Sequence, residues 1–308
     1  MTGILGSGFG IYGYLPAILQ KEDYVFLHIK SKEFFYSRVE LIHFSNKIIF
    51  ISDIDKLLGK VTALVICYPP KLQFEFVLKS FEYKNIKYLF LEKPLSFDPD
   101  SSIYLLEKLK ISNIKYSINY IFLKTNWFDL INKNESNEVR YSLKWNFKSE
   151  HFKSNKISWK KNTSDGGGVV RFYGIHIIAI LVHLNYNEIN FSIVKGISIE
   201  DLHIWEAEFY NPKSKSIFSI KINTKSEIQE FSITSIKEKK QFILINESTP
   251  FGSLFNIANS IDTRALLLEK YMNEFYSTQN YNDLEQFYQR VNLFWKKIEI
   301  ESQFSSII

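Results

Sequence analysis

The sequence predicts an α/β protein: an N-terminal parallel sheet, then a C-terminal α+β domain built on an open, mostly antiparallel sheet. Three observations predict it. Residues 1–119 alternate short, β-rich apolar runs with segments of helical period, the signature of parallel strands joined by crossover helices. From residue 120 onward, longer alternating stretches follow one another across short polar turns, as in an antiparallel sheet with one solvated face. The length of 308 residues exceeds what one ordinary core organises and suits two domains, here 1–119 and 120–308.

Strands are expected in the first domain at 2–5, 24–29, 47–51, 63–67, 88–91 and 115–119, with helices between them at 15–20, 54–58, 72–83 and 100–109. The second domain gives strands at 139–147, 188–197, 204–210, 216–223, 230–236 and 241–245. One strongly apolar helix interrupts them after Gly166-Gly167-Gly168. The tail from Asp262 to about residue 301 has a helical period broken near 277–281, which predicts two closing helices.

Composition removes several function classes. Hydrophobic residues make up 45% and charged residues 23% of the chain, the balance of a packed globular protein. A single cysteine, Cys67, leaves no intrachain disulfide framework and no cysteine-based zinc site, which fits a reducing, cytoplasmic compartment. The net charge is +5, but the lysines are dispersed among acids, so no nucleic-acid partner is expected. The longest apolar stretch, 169–184, carries Arg171 and His176 and is short for a bilayer span, and no secretory signal precedes the first strand, so no membrane association is expected. His176 and His183 lie on one helix without a carboxylate at supporting spacing, and no metal site is expected.

Strand 2–5 runs into Gly6-Ser7-Gly8-Phe9-Gly10-Ile11. A glycine-rich turn between a strand and a helix opens the backbone to a close approach by phosphate, and the helix N-terminus beyond it favours negative charge. We therefore expect Gly6, Ser7, Gly8, Phe9, Gly10 and Ile11 to cradle a dinucleotide in a Rossmann-like domain. The usual third glycine is replaced by Ile11, with Gly10 one position early, so helix packing there should differ. After the second strand, where a carboxylate would hold the ribose of NAD, the chain has Lys30-Ser31-Lys32. Ser31 and Lys32 suit a 2′-phosphate, which favours NADP(H) over NAD(H). Solvated turn lysines compete with that reading, and Glu33 just beyond is a possible ribose ligand.

Two further turns fall at carboxyl ends of parallel strands, where open α/β sheets bind ligands: Tyr68-Pro69-Pro70, and Glu92-Lys93-Pro94. Taken with the glycine turn, Leu15-Pro16-Ala17, and Gly166-Gly167-Gly168 leading to Gly174-Ile175-His176, they give the chain a pattern that resembles the Gfo/Idh/MocA family, the relatives of glucose-fructose oxidoreductase and inositol dehydrogenase. The likeness spans nearly the whole chain and keeps the family's order.

The resemblance implies NAD(P) and a sugar or cyclitol-like substrate, meeting in a cleft between a Rossmann domain and the sheet domain, in a homo-oligomer of two or four chains. It places Lys93 beside the nicotinamide and the reacting hydroxyl, next to a proline bond that is commonly cis. It makes His176 the group that exchanges the hydroxyl proton, a task suited to imidazole, although a histidine on so apolar a helix is more often a core residue. Tyr68, Pro69, Gln73 and Glu92 fall around the cofactor. Asn119, Trp159, Phe172 and Tyr173 fall around the substrate, with a core role for Trp159 equally open.

Two departures qualify this pattern. Phe172 stands where the family often has an aspartate, and a phenyl ring accepts no hydrogen bond from a hydroxyl. Gln73 stands where a histidine is frequent. The expectation is therefore an oxidoreductase acting on a sugar-like and possibly nucleotide-linked substrate, with ketoreduction slightly favoured and Tyr173 or Tyr120 as a further proton source. The alternative is a non-catalytic dinucleotide-binding sensor of the same fold.

Overall fold

The computed structural model describes residues 1–154, 158–252, 262 and 264–307. It divides into two compact units: Met1–Ser96 with Tyr104–Ile121 and Ser253–Asn282, and Phe97–Ile103 with Phe122–Gly252 and Asp283–Ile308. A boundary expected after residue 119 thus meets units that exchange segments, the penultimate helix belonging with the parallel sheet.

In the first unit, β1 (Thr2–Leu5), β2 (Val25–His28), β3 (Ile48–Ile51), β4 (Ala63–Ile66), β5 (Tyr88–Leu91) and β6 (Lys115–Ile118) form a six-stranded sheet in the order β3-β2-β1-β4-β5-β6, parallel throughout. Every strand falls within one residue of its expected bounds. β1 and β4 are buried along their whole length, which is why β4 reads as an unbroken apolar run rather than as alternation. Helices α1 (Leu15–Ile18), α2 (Lys32–Tyr36), α3 (Ile54–Leu58), α4 (Pro70–Ser80) and α5 (Pro99–Ile111) connect them. α2 and the long 3₁₀ segment Val39–Lys47 carry too little periodicity to be read from sequence.

The second unit holds β7 (Arg140–Lys148), β8 (Glu188–Ser198), β9 (Asp201–Asn211), β10 (Ser216–Asn223), β11 (Lys225–Lys237), β12 (Lys240–Glu247) and β13 (Gln303–Ser306), ordered β12-β11-β7-β10-β9-β8-β13. The sheet is mostly antiparallel; β10–β7 and β13–β8 are the parallel pairs. Along β9 the buried residues His203, Trp205, Ala207 and Phe209 alternate with Glu206 and Glu208 on the wetter face, the period of a strand covered on one side. Helices α6 (Asn126–Asn134), α7 (Glu150–Lys153) and α8 (Ile175–His183) complete this part of the chain. α8 buries every residue from Ile175 to Val182, as its all-round apolarity requires.

The two closing helices are α9 (Arg264–Ser277) and α10 (Tyr281–Glu301). α9 belongs to the first unit, where Tyr271 accepts a hydrogen bond from Ser117 across 2.6 Å. α10 buries Tyr288, Val291, Trp295 and Ile298 in the second. Among the described residues, no helix is long and apolar enough to cross a membrane.

Candidate active site

In the first unit the site begins where β1 ends. Gly6 and Gly8 take φ of +114° and +72°, values that side chains rarely adopt. A Cβ on Gly6 would lie 2.5 Å from the carbonyl oxygen of Cys67, whereas one on Gly8 would meet nothing within 4 Å. Gly6 is therefore glycine so that the ends of β1 and β4 can touch. Gly8 opens onto empty space, the place a phosphate needs. The displaced glycine also has its reason. A Cβ on Gly10 would sit 3.0 Å from Ile4 Cγ2 and 3.2 Å from Cys67 Cβ, so Gly10 serves the close helix–strand packing. The helix opens as a π-turn over Gly10–Tyr14, and Ile11 is wholly buried.

At the end of β2, Lys30 and Lys32 are exposed. Ser31 differs from its expected role: it is buried, and its hydroxyl donates to the Gly6 carbonyl oxygen over 3.4 Å. It braces the glycine turn rather than facing outward. Tyr68 packs its ring against Phe76 at 5.0 Å, and burial pushes its phenol up. Pro69 is exposed just ahead of α4.

The Glu92-Lys93-Pro94 turn follows β5, with Lys93-Pro94 cis. Gln73 differs from the expected cofactor contact, because both ends of its amide go to the chain. Nε2 donates to the carbonyls of Glu92, Pro94 and Leu95 at 2.7, 3.2 and 3.0 Å, and Oε1 accepts from the Glu92 N–H at 3.1 Å. A glutamine suits this position because it carries donor and acceptor on one planar group. Asn119 Nδ2 donates to Glu92 Oε1 over 2.7 Å. Burial pushes the Glu92 carboxyl up, opposed by the Asn119 hydrogen bond, the Lys93 charge, the Tyr14 hydroxyl and the Arg264 charge.

Sequence reasoning missed Arg264 and Tyr14. The Tyr14 phenol, wholly buried, is pushed well up by burial and then by Glu92. The Arg264 guanidinium lies 4.7 Å from the centroid of the Phe9 ring and 5.5 Å from that of Tyr12.

In the second unit the triple glycine is a matter of clearance. A Cβ on Gly167 would come within 2.2 Å of the Trp159 carbonyl oxygen, and Gly166 and Gly168 take φ of +88° and +79°. The chain then enters a π-turn, Val169–Gly174, before α8. His176 is 6% exposed and stacks on Phe122 with centroids 4.3 Å apart and planes 12° from parallel. Phe172 packs edge-on against Trp159 at 5.1 Å and Tyr173 at 4.7 Å, with the Lys160 ammonium 5.1 Å from its centroid.

Tyr173 is better connected than its neighbour. Burial raises its phenol, opposed by the Ser149 hydroxyl. Ser149 Oγ lies 3.0 Å from His151 Nε2. Burial, then Lys160 and Lys161, pushes the His151 imidazole down to about 4, so it is neutral at pH 7. Ser149 and His151 thus form a hydrogen-bonded pair close to the Tyr173 phenol. The only sequence signal for it was the Ser-x-His spacing where β7 ends. His183 is exposed, and among the described residues no three His, Cys, Asp or Glu side chains gather as a metal site.

Comparison with known proteins gives three results. Residues 1–120 match a family described as an oxidoreductase family with an NAD-binding Rossmann fold. Among solved structures, the chain is similar to KijD10, a 3-ketoreductase from Actinomadura kijaniata solved with NADP and TDP-benzene, at 11% identity and a TM-score of 0.68, over 100% of this chain and 99% of that one. It is similar to a UDP-N-acetylglucosamine 3-dehydrogenase, GnnA, from Acidithiobacillus ferrooxidans at 12% identity and a TM-score of 0.68, covering 98% and 97%. It is similar also to a super-repressor mutant of Gal80p from Saccharomyces cerevisiae at 11% identity and a TM-score of 0.70, covering 97% and 95%. No curated protein sequence matches the chain.

Proposed function

We propose that this chain, whose residues 1–120 match the model of an oxidoreductase family with an NAD-binding Rossmann fold, moves hydride between a nicotinamide cofactor and a carbinol or carbonyl carbon of a sugar-like substrate. NADP(H) is the preferred cofactor and reduction of a keto-sugar the preferred direction.

One observation carries the reading. The order β1-β4-β5 separates the glycine turn from the Glu92-Lys93-Pro94 turn by a single strand, or ~10 Å at the usual strand spacing. Both turns lie at the carboxyl edge, where the order changes direction and open α/β sheets take their ligands. That is room for one dinucleotide, its phosphates over Gly8 and its nicotinamide toward Lys93. The empty space over Gly8 and its left-handed backbone are what such a ligand requires. Exposed Lys30 and Lys32 favour a 2′-phosphate, and the similar 3-ketoreductase was solved with NADP.

When bound, the nicotinamide supplies or accepts the hydride. Lys93 holds the substrate oxygen and polarises it, on a turn that Gln73 keeps in shape. His176 is assigned the proton donated in reduction, a task that suits an imidazole. Tyr173 offers a second hydroxyl. Phe172 leaves the substrate hydroxyl without the hydrogen bond that a carboxylate at this position would give, because a phenyl ring accepts none. Assembly into a dimer or tetramer goes with this reading, supported by Ile228 and Ile243, 66% and 68% exposed on β11 and β12.

The test is an NADPH titration followed by a hydride-transfer screen on nucleotide-linked keto-sugars. NADPH oxidation with at least one of them is expected. Phe172 and the likeness to Gal80p favour a second reading, a dinucleotide sensor without turnover. Binding of NADPH with no oxidation across the panel would support that reading.

A further inference from the structure

The first 20 residues contain no lysine and no arginine. The glycine turn therefore offers a pyrophosphate its backbone N–H groups but no side-chain cation of its own, and two bound phosphates carry about two negative charges. A countercharge has to come from elsewhere in the fold.

Two arginines meet there, both on the ring of Tyr12: Arg38 with its guanidinium 5.3 Å from the centroid, and Arg264 at 5.5 Å. Arg38 covers Tyr12 and is paired with Glu40. Arg264 reaches further, covering Phe9 at 4.7 Å, and Phe9 is the residue after Gly8, where the turn opens onto empty space. Asp262 grips one edge of the guanidinium, accepting from Nε at 2.9 Å and Nη2 at 2.6 Å. A two-point grip on a planar group fixes its direction, as a single contact would not. The Arg264 side chain keeps 28% of its surface exposed, so it is held in place without being sealed off.

We propose that Arg264, at the start of α9, is the side-chain cation that binds the pyrophosphate of the dinucleotide at the glycine turn. The proposal rests on the dinucleotide reading above and adds to it a ligand 254 residues from Gly10 in the sequence. Asp262 and the ring of Phe9 orient the guanidinium. The turn supplies direction through its N–H groups, and Arg264 supplies charge.

The test measures Kd for NADPH, ADP-ribose and adenosine, three probes of which only the first two carry a pyrophosphate, on the full chain. Arg264→Gln is expected to weaken NADPH and ADP-ribose by about tenfold or more while leaving adenosine within about twofold. The salt dependence of NADPH binding should flatten in the same variant. Arg264→Lys, which keeps the charge and loses the fork, should fall between Arg264→Gln and the wild type. Retained adenosine binding and an unchanged far-UV spectrum show that the variants fold. Wild-type affinity for ADP-ribose in Arg264→Gln overturns the proposal. So does an equal loss for adenosine, which would make Arg264 only a prop for Phe9. If the wild type binds adenosine but gains nothing from a pyrophosphate, the proposal falls while nucleotide binding stands. If the wild type binds none of the three, the oxidoreductase reading falls and takes the proposal with it.

Discussion

Gln73 and Glu92 are joined at both ends of one amide: Gln73 Oε1 takes the Glu92 N–H at 3.1 Å while Nε2 gives to the Glu92 carbonyl at 2.7 Å. With further bonds to Pro94 and Leu95, one buried side chain satisfies the backbone of the turn that carries Lys93. Replacing it by alanine leaves several buried backbone groups unpaired, each costing about 1–3 kcal/mol. Gln73→Ala is expected to lower stability by about 2–4 kcal/mol in urea unfolding, whereas Gln73→Glu, which keeps an acceptor but loses both donors, should not recover it. A neutral result would mean the turn is held by something else.

Much of this architecture was legible. The parallel strands announce themselves because both faces are covered, which forces runs such as Ala63–Ile66, and the alternation of the second sheet follows from its wet face. The turn at 277–281 was visible because the apolar period breaks there. Less legible were features that depend on contacts distant in sequence. Nothing local says that Gly10 takes over the packing of a missing third glycine, since the reason lies in Ile4 and Cys67. Gln73 reads as a departure from a family pattern until the carbonyls it serves are seen. Arg264 is silent in sequence because the rings it covers are more than 250 positions away.

Gly174 makes a separate prediction. A Cβ there would lie 2.7 Å from Cζ3 of the buried Trp205, a side chain with no room to retreat. Gly174→Ala should destabilise by about 1–3 kcal/mol, the usual cost of overpacking a core, and its melting temperature measured beside that of the wild type checks this.

Glu135 predicts how stability depends on pH. Burial, opposed by the hydroxyls of Tyr186, Tyr141 and Ser214, pushes its carboxyl from 4.5 to about 7. A raised carboxyl binds its proton more tightly in the folded chain, so its contribution is full below pH 4.5 and is lost as pH rises through 7. Allowing for solvent screening of this part-exposed carboxyl, the loss is about 2–3 kcal/mol across that window. Glu135→Gln should flatten this fall, as read from urea unfolding at pH 5 and pH 7.5; an unchanged slope would place the titration elsewhere.

His151 predicts the opposite sign. Its imidazole moves from 6.5 down to about 4 through burial and then Lys160 and Lys161, so its contribution is present above pH 6.5 and is lost as pH falls through 4. Its ring nitrogens, followed by NMR, should stay neutral down to about pH 4.5. Ser149→Ala should alter their chemical shifts at constant pH, since Ser149 Oγ lies 3.0 Å from Nε2.

The central claim is that Lys93 acts in hydride transfer, and deuterium tests it most directly. NADPH carrying deuterium at nicotinamide C4 is incubated with nucleotide-linked keto-sugars, and the product is read by mass spectrometry for the wild type, Lys93→Ala and His176→Asn. The wild type should place deuterium on the new carbinol carbon. Each variant should lose transfer by about a hundredfold or more, while binding NADPH within about threefold of the wild type. Tight NADPH binding with no deuterium on any sugar, or undiminished transfer by Lys93→Ala, would contradict it.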